Sequence, residues 1–383
     1  MKTLYFETIV LLITIMLSCS DNKSERKDTY YLLKSNKQLS FALDRNTKSF
    51  ILALFTFTDE NGKEYLTFQN QGQNEILFYD INSTNLEFKI KPTIEGANGV
   101  GLFTGYAIKN MDSIFLTNSN IQVIYLIDKN ATVKDVMLYE ETVDKVPLLA
   151  NPSISHVYRP LLFIDDDIYI VPNCNRWAEK NPVCAVINMT DKSVHALRGL
   201  SYPTFSGADN KAKAFGVEEY ISRCYNGKQF VYAFHFDEDI YITSIDHNSI
   251  KRVTIKSKYI DKVKLIDDYG NLTAEDICEN PNYGNMHYDK YRDIYYRIAY
   301  PKTEIEKGIR GLELMQYGRK NFSIIILDKD FNIIGETLFP DYTYNSTVMF
   351  IREDGLYISS SHYLNPEFSD DILSFQRFDL VKE

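Results

Sequence analysis

The residue types that usually do chemistry are present in this chain, but not in patterns that assign a reaction. There is no G-x-S-x-G nucleophile elbow, no P-loop, no H-E-x-x-H and no G-x-G-x-x-G between a strand and a helix. The six histidines, at 156, 195, 235, 247, 287 and 362, are scattered. Asp165-Asp166-Asp167 looks like a calcium run. It lacks alternating ligand spacing and a distal Glu, so it reads as a solvated turn. No catalytic residue, metal ligand or cofactor is assigned on these grounds.

Two groups of residues remain as candidates for binding. The first is the loop from Pro172 to Cys184, which carries the only tryptophan, Trp177, beside Arg176. Trp and Arg concentrate at binding hot spots, although Trp177 could equally tuck onto its own sheet. Cys174 and Cys184 bracket this loop, and the spacing predicts a disulfide across its feet. The second group is Arg159, Arg223, His287 and Arg297, on or near strands expected to line a central channel. Cations and aromatics there could hold an anion or a sugar, or could pair with carboxylates and close the channel. The stretches 302–320 and 362–371 are expected on the same rim as the Trp177 loop.

The elements that would position these residues recur along the chain. An apolar strand ending in Asp or Asn and followed by a turn appears at Glu75–Asp80, Gln122–Asp128, Cys184–Asn188, Ile240–Asp246, Ser323–Asp328 and Phe375–Asp379. The terminal positions are 48, 60, 58, 82 and 51 residues apart. A short aromatic strand precedes most of them, as in Asp167-Ile-Tyr-Ile170 and Gly355-Leu-Tyr-Ile358, and another candidate strand precedes that. Each unit is about four strands, and radial stacking of such units predicts an all-β, single β-propeller. Six blades are expected, with room for a seventh in the 82-residue interval. The last unit lacks a fourth strand, and Leu39, Phe41 and Leu43 alternate in a way that predicts a closing strand from the N-terminus. No segment sustains a helical period, so helices should be few and short.

The first residues carry an address. After Met1-Lys2-Thr3, residues 8–17 form an apolar run too short to span a bilayer, which takes roughly 20 residues. It ends in Leu17-Ser18-Cys19, which resembles a bacterial lipobox, where the thiol is acylated and the signal is cut before the Cys. The expected organisation is a signal peptide at 1–18, a polar tether at 19–28 with Cys19 lipidated, and the propeller at 29–383. A plain secretory signal with a chance Cys is the alternative. The formal net charge of -10 argues against a nucleic-acid partner.

Tyr288–Ile298, Ser323–Glu336 and Glu353–Ile358 resemble the family known as domain of unknown function 4221, lipoproteins of Bacteroidetes of similar length. The resemblance implies a lipid-anchored envelope protein with a propeller, and it carries no catalytic residue. Two functions stay open. One is a binding or scaffold module at the outer membrane, periplasmic or surface-facing, with an unidentified protein or glycan partner. The other is an envelope hydrolase or lyase acting on glycans or lactones at the propeller axis. Converging carboxylates at the axis would favour the enzyme, and an axis filled by Tyr and Phe the module.

Overall fold

A computed structural model describes residues 29–150, 155–174, 181–202, 221–263 and 273–383. Within them the chain is all-β and propeller-like, with two short α-helices. Four antiparallel sheets have four strands each, in chain order. The first holds β2 (Leu54–Thr58), β3 (Glu64–Asn70), β4 (Glu75–Asp80) and β5 (Leu86–Ile90). The second holds β6 (Gly105–Asn110), β7 (Ser113–Thr117), β8 (Val123–Ile127) and β9 (Val133–Leu138). The third holds β10 (Leu162–Ile164), β11 (Asp167–Ile170), β12 (Pro182–Asn188) and β13 (Val194–Ser201). The fourth holds β14 (Ile221–Tyr225), β15 (Gln229–Phe234), β16 (Asp239–Ser244) and β17 (Ile250–Thr254).

The remaining strands form one eight-stranded sheet. It contains β18 (Asn282–Asp289), β19 (Ile294–Tyr300), β20 (Ser323–Leu327) and β21 (Ile333–Leu338), then β1 (Tyr30–Ala42), β24 (Ile372–Lys382), β23 (Gly355–Ser359) and β22 (Asn345–Arg352). Its two antiparallel halves meet at a single parallel bridge, Tyr30 with Gly335. A Cβ at position 335 would run into the Tyr30 carbonyl, so this approach requires glycine. The expected separation into single four-stranded units is therefore interrupted at this point.

The recurring Asp or Asn is a turn builder. Oδ1 of Asp80 accepts from the amides of Asn82 and Ser83, Asp128 from Asn130 and Thr132, and Asp328 from Asp330 and Asn332. Asn188 does the same for Thr190 and Asp191. A left-handed residue follows in each of these turns, at Thr84, Ala131, Phe331 and Lys192. These amide bonds hold the Asp80 and Asp128 carboxyls below their usual range. Asp379 builds no turn; it lies within β24 opposite Leu33. Asp165 and Asp166 form the β10–β11 turn, as expected, with Asp165 at φ 53°.

The N-terminal strand pairs where its alternation predicts. Gln38 to Ala42 lie antiparallel to Gln376 to Ile372, with Leu39 opposite Phe375 and Phe41 opposite Leu373. Leu39, Phe41 and Leu43 are buried together with Leu54, Leu66 and Phe68 of the first sheet and Phe350, Tyr357 and Phe375 of the last strands. Among the described residues six apolar clusters of this kind occur, each drawing on two strand groups consecutive in the chain, with this one joining last to first. Burial of such aromatic layers is the main stabilising term, roughly 25 cal/mol per Å² of apolar area.

Among the described residues, the 82-residue interval holds β17 of the fourth sheet, helix α1 (Ala274–Glu279), strands β18 to β20 of the eight-stranded sheet and helix α2 (Gly311–Tyr317). Thr273 and Asp276 cap α1 reciprocally, a capping box. Gly311 lies against the α1 backbone, where a Cβ would clash with Ala274 and Glu275. No described helix is long and apolar enough to cross a membrane.

Candidate functional site

The first strands of five groups line a common cavity. Leu54, Phe55 and Thr56 of β2, Leu162 of β10, Arg223 to Tyr225 of β14, Met286 to Tyr288 of β18 and Met349 to Ile351 of β22 line a volume of about 340 Å³. Val157, Pro160, Lys290 and Tyr291 complete it. Lys290 and Tyr291 sit in the turn after β18, so the mouth opens at that end. The lining mixes aliphatic and aromatic side chains with the polar groups of Thr56, Arg223, His287, Lys290 and three tyrosines, and none of these residues is Asp or Glu. Apolar walls with a few placed polar groups are the usual make-up of a small-molecule site, and 340 Å³ is near the lower end of that size range.

Arg223 is buried in the wall. Its Nη2 donates to the carbonyls of Pro160 (2.7 Å) and Tyr169 (2.9 Å), and Nη1 approaches Cys184 Sγ at 3.5 Å. Its guanidinium carbon stands 5.5 Å from the Phe230 ring centroid. These partners are neutral, and among the described residues no carboxylate pairs with it. His287 lines the same cavity, and its Nε2 is buried with no hydrogen-bond partner. Burial pushes its pKa down to about 4, so the ring is neutral at pH 7. At the mouth Lys290 Nζ lies 5.1 Å from the Tyr291 ring centroid, and Tyr288 donates to Asp293 at 2.9 Å.

Arg159 sits just outside this lining, in the loop before β10. Its charge helps hold down the pKa of both His156 and His235, after the larger effect of burial. Arg297 is a correction. It lies on β19, the second strand of its group, and does not reach the cavity. Its Nη1 donates to the carbonyls of Glu238 (2.8 Å) and Ile255 (2.9 Å), and Nη2 to that of Asp237 (2.5 Å). Its guanidinium carbon stacks 3.8 Å from the Tyr283 ring centroid. Burial lowers its pKa to about 10, which leaves it charged at neutral pH. Arg297 is a latch between two sheets, and Arg223 combines such a latch with a place in the cavity wall.

The expected Cys174–Cys184 disulfide is also corrected. Both remain unbridged buried thiols, as do Cys224 and Cys278. The reason is register. β11 and β12 pair Asp167 with Asn188 through Ile170 with Ala185, so continuing the ladder sets position 174 against 181 and position 184 against 171. Asn181 Nδ2 indeed donates to Cys174 Sγ at 3.1 Å. Three residues along a strand amount to about 10 Å, beyond disulfide reach. Cys19, Arg176 and Trp177 lie outside the described residues.

The stretches 302–320 and 362–371 meet, as expected. His362 Nε2 donates to the Gly318 carbonyl at 2.9 Å, and its Nδ1 accepts from the Leu364 amide at 3.2 Å. They join second to third strands, as does the segment between β11 and β12. In an antiparallel sheet those connections lie at the end opposite the cavity mouth.

Sequence reasoning missed Phe55, Tyr225, Tyr288, Lys290, Tyr291, Met349 and Phe350. The missing signal is positional: most of them fall at or just after the ends of successive first strands.

The profile of the family described as domain of unknown function (DUF4221) matches residues 29–338. The chain belongs to that family. The matched stretch stops before β22. A crystal structure of a DUF4221 member from Bacteroides vulgatus superposes with a TM-score of 0.80 at 26% identity, covering 94% of this chain and all of that one. A putative exported protein from Bacteroides fragilis superposes with a TM-score of 0.53 at 9% identity, over 94% of this chain and 98% of the other, and shares the fold. No curated protein matches the sequence. Among the described residues no group of three or more His, Cys, Asp or Glu side chains is arranged to hold a metal ion.

Proposed function

We propose that this DUF4221 protein is a lipid-anchored cell-envelope binding module, built as a six-bladed propeller and taking a small ligand in its axial cavity. The observation that carries the reading is the cavity wall: first strands of five groups supply aromatic, aliphatic and cationic side chains and no carboxylate. General acid–base chemistry on glycans or lactones needs groups that exchange protons near neutral pH. The wall offers a histidine held near 4, a committed arginine, Lys290 and three tyrosines, with no carboxylate among them. The six-blade count is supported by the six apolar clusters, each seated between consecutive groups, with β1 completing the last.

Anchoring through Cys19, with partners on the membrane side, is supported by the lipobox-like sequence and agrees with the geometry of β1. Arg352 pairs with Gly355, Leu356 with Phe378 and Phe378 with Lys34, so β22 ends where β1 begins. The cavity mouth lies at that same end. A tether of residues 20–28 reaches at most about 30 Å, which would hold the mouth toward the membrane.

The test is a thermal-shift screen of glycan fragments, lactones and small organic acids on the wild-type chain and on Leu162→Trp, which fills the cavity. Stabilisation by a compound, lost in the variant, is the expected result. Turnover of a lactone or glycan by the wild type would replace the binding reading with the hydrolase or lyase.

A further inference from the structure

Taking the axial cavity as the binding site, we infer that its ligand is an amphiphilic carboxylate: a small organic anion with an apolar body. The charge of the wall selects the sign. Among the described residues Arg223 is buried and hydrogen-bonded to carbonyl oxygens and a thiol and joins no ion pair, so a full positive charge stands in the wall with no described counter-ion. A buried charge in this state raises the local potential and favours an anion. Lys290 adds a second cation at the mouth, beside the Tyr291 ring and in no ion pair among the described residues. Of the acidic groups in the same turn, Asp289 is ion-paired to Arg292 at 2.8 Å, and Asp293 accepts the Tyr288 hydroxyl at 2.9 Å. This positive site sits in a chain of net charge -10, so bulk charge does not produce it.

The lining selects the rest of the molecule. Phe55, Leu162, Met286, Met349 and Phe350 present apolar surface, and the thioethers of the two methionines adapt to varied shapes. A polyhydroxylated sugar would need several paired donors and acceptors on the walls. The volume of about 340 Å³ suits a chain of several carbons or one aromatic ring and excludes a two-chain phospholipid.

The experiment titrates the purified chain calorimetrically with octanoate, octan-1-ol and octylammonium, each below its aggregation concentration. The expected result is one octanoate per chain, bound at least about tenfold more tightly than the other two, with Lys290→Glu weakening octanoate about tenfold or more. Leu162→Trp should abolish binding; if that variant does not fold, Thr56→Phe fills the cavity from another wall. Equal affinity for octan-1-ol, or indifference to Lys290→Glu, overturns the carboxylate inference and leaves the cavity reading standing. Octanoate binding that survives both filled-cavity variants overturns the cavity reading itself. No binding of octanoate to the wild type overturns the inference.

Discussion

Arg352, at the end of β22, donates through Nε (3.1 Å) and Nη2 (2.7 Å) to Glu64 Oε2, at the start of β3. Two residues 288 apart in sequence thus tie the last strand group to the first, over the same seam that buries Phe41 and Phe375. Both side chains are mostly buried, so the pair is screened less than a surface ion pair. A double-mutant cycle with Arg352→Ala and Glu64→Ala should give a coupling of about 1 kcal/mol. Additive losses would mean the seam is held by apolar packing alone.

The seam also depends on β1. Deleting residues 20–44 should lower the melting temperature of the whole domain by several degrees or more, because it strips the partner of β24 and removes Leu39, Phe41 and Leu43 from a shared core. Deleting only 20–28 should leave the melting temperature unchanged. Two truncations that melt together with the wild type would contradict a closing role for this strand.

Arg223 and Arg297 each satisfy carbonyls of the neighbouring group from a buried position. Arg297→Met should destabilise by about 2 kcal/mol, since it removes a donor from three carbonyls, that of Ile255 fully buried, while Glu238 keeps the Ile255 amide. Arg297→Lys should recover little, because an ammonium cannot reproduce the planar fork. Urea denaturation of the three proteins measures this, and a Lys variant as stable as the wild type would refute the latch.

The thiols should be silent in the native protein. Cys174, Cys184, Cys224 and Cys278 are buried, and burial pushes the Cys224 thiol up to about 12. A maleimide should label none of these four until denaturant is added, and a reductant should not shift the melting temperature. A drop in stability on reduction would restore the disulfide between Cys174 and Cys184.

Stability should fall on mild acidification. Burial holds His156, His247, His287 and His362 at about 4 and His235 at about 3. Their unfolded value is near 6.5, so the unfolded chain takes up protons first. The stabilisation is complete above about pH 6.5 and is lost as pH falls toward 4, by at most about 1.4 kcal/mol per pH unit for each histidine. Asp44, held near 2 chiefly by its hydrogen bond to Lys89, acts in a separate window below about pH 4. Denaturation curves at pH 7.5, 5.5 and 4.5 test the sign, and His362→Asn should flatten the slope. His362 is the clearest case, because its Nδ1 accepts an amide N–H and protonation would break that bond.

Anchoring is tested in cells. Cys19→Ser should move the protein out of the membrane fraction or block processing, while the wild type should withstand a high-salt wash, as multiple acyl chains would allow. A soluble wild type cut elsewhere would remove the lipid from the account.

The sequence by itself determined the features that depend on neighbours in the chain. Asp80, Asp128, Asn188 and Asp328 mark hairpins because a short acceptor side chain reaches the amides two to four residues on, whatever the rest of the fold does. Leu39, Phe41 and Leu43 announce a half-buried strand because side chains alternate with period two. Tertiary structure decided what depends on register and on packing between groups. Cys174 and Cys184 bracket one loop in sequence, yet a ladder that sets 174 against 181 keeps them apart. Arg223 and Arg297 look alike on paper. A guanidinium on a long stem serves whichever carbonyls the adjoining sheet presents, and that sheet's position placed one arginine in the cavity wall and sealed the other away from it.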